Sequence, residues 1–357
     1  MSGEPVIDIY CHWLPPRLRR AIEGLGGAYV HMFARAANLP LMSDLDARFR
    51  AMDLLPGYRQ VPSLCAPPLE TLARAQATEM ARRANDEMAE IVRAHPDRLA
   101  GFVAALPLND PDACFEEMHR ACVQLGAAGV QMYTNIAGAP PDRPWCLDLL
   151  QEADAIGAGV WLHPIRNPAH ADYPEENVSH HELWWALGWP HETSVAMARW
   201  TFAGVFDRAP RLRVLTHHGG GTVPMLAGRF AAGVRPLGGA AGRARAMPAL
   251  SEPVDQVLRR FYADTASFGY APTIECALAF FGADRILFGS DMPFGSPDGW
   301  GQVPITLSLL EGLLGDEPVL RRKILNDNAL DWLKPRPQVT VTVRATSAYR
   351  KIAEVPI

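Results

Sequence analysis

Several histidines and one aspartate stand where short apolar runs end. His12 closes Asp8-Ile-Tyr-Cys-His, His163 closes Trp161-Leu-His, and His217 and His218 close Thr216-His-His ahead of three glycines. Asp291 follows Phe288-Gly-Ser. Neutral imidazoles and a carboxylate are the donors a divalent transition metal takes from a protein. His12, His163 and Asp291 supply three, the usual protein share of a catalytic zinc site, and leave positions for water or substrate. One such histidine is an ordinary structural residue. Three at separate run ends, with His218 beside them, shift the balance toward a site.

To converge, these residues need a scaffold that gathers the run ends. The apolar runs predict eight strands: Val6–Tyr10, Gln60–Leu64, Leu99–Leu106, Ala128–Met132, Gly159–His163, Arg213–His217, Arg260–Asp264 and Arg285–Gly289. Helical patterns follow most of them, at Glu70–His95, Asp110–Gly126, Pro144–Gly157, His191–Ala209, Thr222–Gly233, Ala271–Gly282 and Val303–Leu314. Alternating strands and helices imply a parallel sheet. Eight such units imply an α/β fold of the (β/α)8 TIM-barrel type, whose C-terminal strand ends carry the chemistry. Residues 1–334 are expected to form one such domain with long lid insertions. Residues 335–357 are expected to form a tail whose alternating Gln338–Arg344 suits an edge strand or a dimer contact. Three excursions break the repeat, at His31–Arg50, Asn167–Pro190 and Val234–Ser251. Loops this long within a compact domain are usually functional or flexible.

Composition narrows the function classes. The 357 residues are 48% hydrophobic and 20% charged, which is ordinary globular usage and excludes a disordered or collagen-like chain. The net charge of −5, with no block of like charges, leaves no basic stripe for nucleic acid. No apolar run reaches ~18 residues, so no membrane span is expected. The N-terminus lacks the pattern of a secretory signal. The six cysteines never fall in CxxC spacing and read as reduced thiols, consistent with a cytoplasmic location.

The chain resembles the amidohydrolase superfamily, and within it the branch of aminocarboxymuconate-semialdehyde decarboxylase and the resorcylate and carboxyvanillate decarboxylases. The resemblance runs up to about Leu333. It is carried by Gly188-Trp-Pro-His-Glu-Thr-Ser through Arg213-Val-Leu-Thr-His-His-Gly-Gly-Gly, by Gly289-Ser-Asp-Met-Pro-Phe, and more weakly by Tyr262-Ala-Asp-Thr. It implies that His163 binds the metal and that Asp291 is a metal ligand or proton carrier. His218 is implied to handle protons or orient a water, with His217 turned into the barrel wall. Arg229 is implied to reach a neighbouring subunit's site and hold a substrate carboxylate, hence a homodimer. Arginine suits that task because its fork binds carboxylate bidentately.

The family's first strand reads His-x-His or Glu-x-His, whereas here it reads Tyr10-Cys11-His12. Three readings of Tyr10 stand open: a phenolate ligand to the metal, a hydrogen-bond donor to substrate or water, or the mark of a lost metal. Cys11 is expected to point away from both neighbours. Relatives that bind dicarboxylates carry an arginine in the first excursion. Arg35, Arg48 and Arg50 are the candidates here, with Arg48 and Arg50 inside a helix over Asp44–Leu54. Trp184 and Trp185 are expected at the substrate, as walls of an aromatic pocket, with Trp189 and Trp200 as further candidates. Asp264 and Asp8 read as rim residues that satisfy backbone groups.

The expectation is a metal-dependent non-oxidative decarboxylase of a small aromatic or unsaturated acid. It would hold one divalent ion, Zn²⁺ or Mn²⁺, with Asp291 or His218 as the proton donor. A metal-dependent hydrolase of an amide, lactone or carbon–carbon bond, and a non-catalytic binding relative, are the alternatives.

Overall fold

The computed structural model describes residues 4–23, 38–64, 68–233 and 250–337. Eight strands occur in the expected order: β1 (Val6–Trp13), β2 (Tyr58–Leu64), β3 (Val103–Ala104), β4 (Gly129–Tyr133), β5 (Gly159–His163), β6 (Val214–Thr216), β7 (Tyr262–Asp264) and β8 (Ile286–Leu287). Every pairing is parallel, in a β1-β2 pair and a continuous β3-to-β8 sheet. Backbone hydrogen bonds join the two pieces at both seams. Gln60 N–H donates to Arg98 O at 3.0 Å and Ala100 N–H to Gln60 O at 2.8 Å. On the other side, Ile9 N–H donates to Phe288 O at 2.9 Å and Asp291 N–H to Tyr10 O at 3.1 Å. The sheet therefore closes into the (β/α)8 cylinder, and all eight residues of β1 are buried, as strands covered on both faces must be.

β3, β6 and β8 are shorter than the apolar runs suggested. Toward their ends, side chains take over from the strand ladder. Asn85 Oδ1 accepts from Ala105 N–H at 2.9 Å, Thr265 Oγ1 from Gly289 N–H at 3.0 Å, and Asp8 Oδ1 from Ser290 N–H at 3.1 Å. Such side-chain bonds satisfy backbone groups without extending the sheet.

One apolar cluster fills the cylinder: Ile7, Ile9, Tyr10, Val61, Val103, Trp161, Leu215 and Leu287, closed below by Trp332. Nearly every strand contributes, as a packed barrel interior requires. The two indoles occupy most of the width because β4 and β5 begin with glycine. A Cβ on Gly129 would lie 2.0 Å from Gly159 O and 2.7 Å from the Trp161 ring. Trp161 Nε1 donates to Ile9 O at 2.8 Å, so the largest interior side chain also satisfies its polar edge.

β1 carries an irregularity against β2 between Asp8 and Cys11, where one extra residue enters β1. Bulges re-aim side chains. Here Ile9 and Tyr10 both join the interior cluster, whereas Cys11 packs outside it, as expected, within reach of Arg48.

The helices begin where proline or an N-cap permits. Pro111 and Pro144 start the helices Pro111–His119 and Pro144–Ile156. Asp44 caps Leu45–Met52 by accepting from Ala47 N–H at 2.9 Å. The helix expected over His191–Ala209 begins earlier, at Gly188, and breaks after Phe202. Gly204 there takes φ 69° before the short turn Val205–Arg208. Most of Val234–Ser251, part of His31–Arg50 including Arg35, and the Gln338–Arg344 tail lie outside the described residues. No helix among the described residues is long and apolar enough to cross a membrane.

Candidate metal centre

β1, β5, β6 and the segment after β8 deliver His12, His163, His217 and Asp291 to one end of the barrel. Nitrogen atoms of His12, His163 and His217 all lie within 4.8 Å of one another, and so do ligand atoms of His217, His218 and Asp291. Asp291 Oδ1 stands 3.2 Å from both His12 Nε2 and His217 Nε2. All but His218 are buried. Asp291 and His218 hold left-handed backbones, at φ 63° and 57°. Each costs about 1–3 kcal/mol, a strain that folds keep where a side chain must be aimed.

Each imidazole is oriented from behind. His163 Nδ1–H donates to Pro164 O at 2.6 Å, and His12 Nδ1 pairs with Ser63 Oγ at 3.0 Å. Nδ1 of His217 bonds Asp264 Oδ2, and His218 Nδ1–H donates to Ala266 O at 3.1 Å. Anchoring Nδ1 fixes the ring and turns Nε2 inward, which is how outer partners orient metal ligands.

Burial and charge set the protonation states. Burial drives His12 and His163 below the usual histidine range. It lowers His218 to about 4, with charged His217 adding to the effect. For His217, burial is outweighed by Asp264 and Asp291, which raise it to about 10. Burial would also raise Asp291, but the imidazoles of His12 and His217 hold it well below the ordinary carboxylate range. At neutral pH the centre thus combines neutral His12, His163 and His218, a protonated His217 and an ionised Asp291.

Both nitrogens of His217 are engaged, Nδ1 by Asp264 Oδ2 and Nε2 by Asp291 Oδ1. His12 Nε2 is buried and faces Asp291 Oδ1 at 3.2 Å. Together with the inward nitrogen of His163 and the ionised carboxylate of Asp291, it forms the donor set that suits a divalent transition metal.

The expectation for the two adjacent histidines is reversed. His217 does not enter the barrel wall: it stands two residues after interior Leu215, on the same face of the strand, and bonds Asp264 and Asp291. The left-handed backbone of His218 turns that ring sideways and leaves it partly exposed. Asp264 does satisfy rim backbone, accepting from Ala266 N–H at 3.1 Å, but its other oxygen holds His217. Asp8 plays the rim part at the β8–β1 seam, where it takes hydrogen bonds from Ser290 and Tyr58.

An aromatic roof covers the centre, built differently from the expectation. Trp189 meets His163 edge-on at 5.5 Å and lies over His218 at 6.4 Å. Trp184 packs behind it at 5.7 Å, and Trp185 bonds Glu182 through Nε1. Trp200 is core and donates to Pro141 O. Two residues to which the sequence analysis gives no site role complete the roof. Phe268 faces His218 at 5.8 Å and Phe294 meets His12 at 5.9 Å. The Phe294 position could have been read from Asp291-Met-Pro-Phe, whereas Phe268 had no signal beyond its place after β7.

The arginines fall apart from the centre. Arg48 is buried and spends its guanidinium on Gln60, His12 O and Leu41 O, so it braces β1 rather than a substrate. Arg229 is exposed on the helix Val223–Gly233.

Comparison with known proteins identifies the family. The amidohydrolase family model matches residues 7–334. A gamma-resorcylate decarboxylase of Rhodococcus jostii is 32% identical over 274 residues, covering 71% of this chain and 78% of the relative. The crystal structure of Metarhizium anisopliae IDCase superposes with a TM-score of 0.78 at 26% identity, covering 95% of this chain and 99% of that one. A dihydroxybenzoic acid decarboxylase from Polaromonas sp., solved with bound manganese and the inhibitor 2-nitroresorcinol, superposes with a TM-score of 0.73 at 24% identity, covering 93% and 97%. The chain belongs to the amidohydrolase family, in its decarboxylase branch.

Proposed function

We propose that this enzyme removes the carboxyl group of a hydroxylated aromatic acid without an oxidant, using one divalent cation, Zn²⁺ or Mn²⁺, held by His12, His163 and Asp291. The observation that carries this reading is His217 hydrogen-bonded to both Asp264 and Asp291, beside His12 and His163 and beneath an aromatic roof. When bound, the metal neutralises the substrate's carboxylate and fixes its direction as Lewis acid and template.

Decarboxylation needs a proton at the carbon that loses CO2. The ring–carboxyl bond breaks, its electron pair stays on the ring carbon, and that carbon takes a proton. His217 is the group that holds one at neutral pH, and its Nε2–H points at Asp291 Oδ1. The His217–Asp291 pair delivers the proton to the carbon and regains it from solvent, the role of a positioned general acid. Trp189 and Phe294 offer flat apolar surfaces to a planar ring. Arg229, exposed on its helix, is the residue through which a second copy of the chain would reach the site, so the protein acts as a homodimer in this reading.

The test has two parts. Elemental analysis of the purified protein is expected to find about one Zn or Mn per chain, lost in His163→Ala. Incubation with 2,6-dihydroxybenzoate and related hydroxybenzoates is expected to release CO2 in equimolar amount with the phenol. Incorporation of labelled water into an amide or lactone substrate without CO2 release would mark a hydrolase instead.

A further inference from the structure

Tyr10 occupies the place of a first-strand ligand yet is a phenol. Its ring stands among imidazoles from three strands. It stacks on His217 at 3.9 Å and 18°, and its centroid lies 5.7 Å from His12 and 6.2 Å from His163. The side chain is fully buried, and its hydroxyl has no hydrogen-bond partner. The charges of Asp264 and Asp291, from the ends of β7 and β8, and the phenol of Tyr133 on β4 all act on it. A buried hydroxyl left unpaired costs about 1–3 kcal/mol. Val61, Val103, Leu215 and Leu287 fill interior positions of the same cluster without such a cost.

The buried hydroxyl lacks only an acceptor among the described residues. A substrate carboxylate brought to the centre is one.

We propose that Tyr10 gives its hydroxyl hydrogen to a carboxylate oxygen of the bound acid. The proposal rests on the aromatic-acid reading above. It makes Tyr10 a specificity residue for the acid.

The experiment compares wild type with Tyr10→Phe, which keeps the ring and its stack on His217. Three readouts are taken: metal per chain, thermal midpoint of the metal-loaded protein without ligand, and affinity by calorimetry for 2,6-dihydroxybenzoate and for resorcinol, which lacks the carboxyl group. The expected result is unchanged metal, a midpoint equal to or above wild type, and an affinity for 2,6-dihydroxybenzoate about tenfold weaker, one hydrogen bond to a charged group. Resorcinol affinity is expected to stay the same. Loss of metal from Tyr10→Phe would overturn the proposal by making the phenol a ligand. A lowered midpoint would overturn it by showing the hydroxyl already paired within the protein. Equal weakening for both compounds would overturn the assignment to the carboxylate. A wild-type protein that loads metal but binds neither compound would overturn the aromatic-acid reading; the metal and midpoint results would still decide whether the hydroxyl is a ligand or a free donor. Tyr10→Leu, which removes the stack, serves as the control for loss of ring packing.

Discussion

His217 and His218 are neighbours with rings 3.8 Å apart, yet they belong to different halves of the site. His217 lies in the floor with Tyr10, His12 and His163, in which each imidazole is tied to a serine, a carbonyl or a carboxylate. His218 belongs to the roof with Trp189, Phe268 and Trp185, where most contacts are between ring faces and edges. Hydrogen bonds set direction to within a narrow cone, whereas aromatic contacts tolerate sliding. The floor is therefore built for fixed chemistry and the roof for admitting and orienting a flat molecule. The same carboxylates that charge His217 leave its neighbour uncharged, because burial dominates where no carboxylate is bonded.

If that division holds, the largest effect comes from the floor. His163→Ala removes an inward nitrogen whose ring is fixed by Pro164 O, and metal content is expected to fall to near zero with activity. His217→Asn breaks the floor differently. The metal is expected to remain while kcat falls about 10²- to 10⁴-fold, the worth of a positioned acid. Asp264→Asn acts through His217 and is expected to cost about 10- to 100-fold, with the limb of the pH–rate profile moved to lower pH as His217 loses one of its two carboxylates. A wild-type kcat in either variant would remove His217 from the proton path.

The roof is expected to respond in binding rather than in turnover. Trp189→Leu removes the ring that spans His163 and His218, and KM is expected to rise about tenfold, of the order of one aromatic contact with its buried area, with kcat within a few-fold. A variant whose kcat collapses while KM stays put would show the roof taking part in the chemistry, and the division between the two halves would fail.

The floor was largely legible in the sequence and the roof was not, for a physical reason. Strand period fixes which side chains enter a barrel, so His12, His163 and Asp291 could be placed from the ends of apolar runs. The same rule, applied from interior Leu215, points to His217 rather than His218. The family resemblance points to His218 instead, and the left-handed backbone at His218 is what turns that ring aside. The roof follows no period. Trp189 is one of three tryptophans in a long excursion, and what brings it over the centre is the start of the helix Gly188–Phe202 three residues earlier than expected. Phe268 projects from a loop with φ 52° and leaves no pattern in the chain. Arg48 shows the converse: its helix was foreseen, but a buried arginine bonded to Gln60 and two carbonyls is a brace that composition alone does not distinguish from a substrate anchor.

The smallest expected effect tests the electrostatic half of the comparison. His218 titrates near pH 4 in the folded protein and near 6.5 in the unfolded chain. Between those values the unfolded chain binds the extra proton, so folding stability falls as pH drops from 6.5 toward 4. Buried His12 and His163 add to the same acid limb. His217 works with the opposite sign: its contribution is full below pH 6.5 and is lost as pH rises through about 10. Asp8 and Glu70, which burial raises to about 6 and about 8, act against this limb and are common to wild type and variant, so urea unfolding in the presence of a chelator between pH 4.5 and 7 is read as the difference between the two. His218→Asn is expected to lessen the slope of stability against pH by about one proton's worth and to leave stability above pH 7 little changed. His217→Asn should instead lower stability throughout this range, since it removes a charge that two buried carboxylates need. Equal slopes for the wild type and His218→Asn would mean that the roof histidine is as free to charge as one in water, and the contrast between the two adjacent rings would be geometric only.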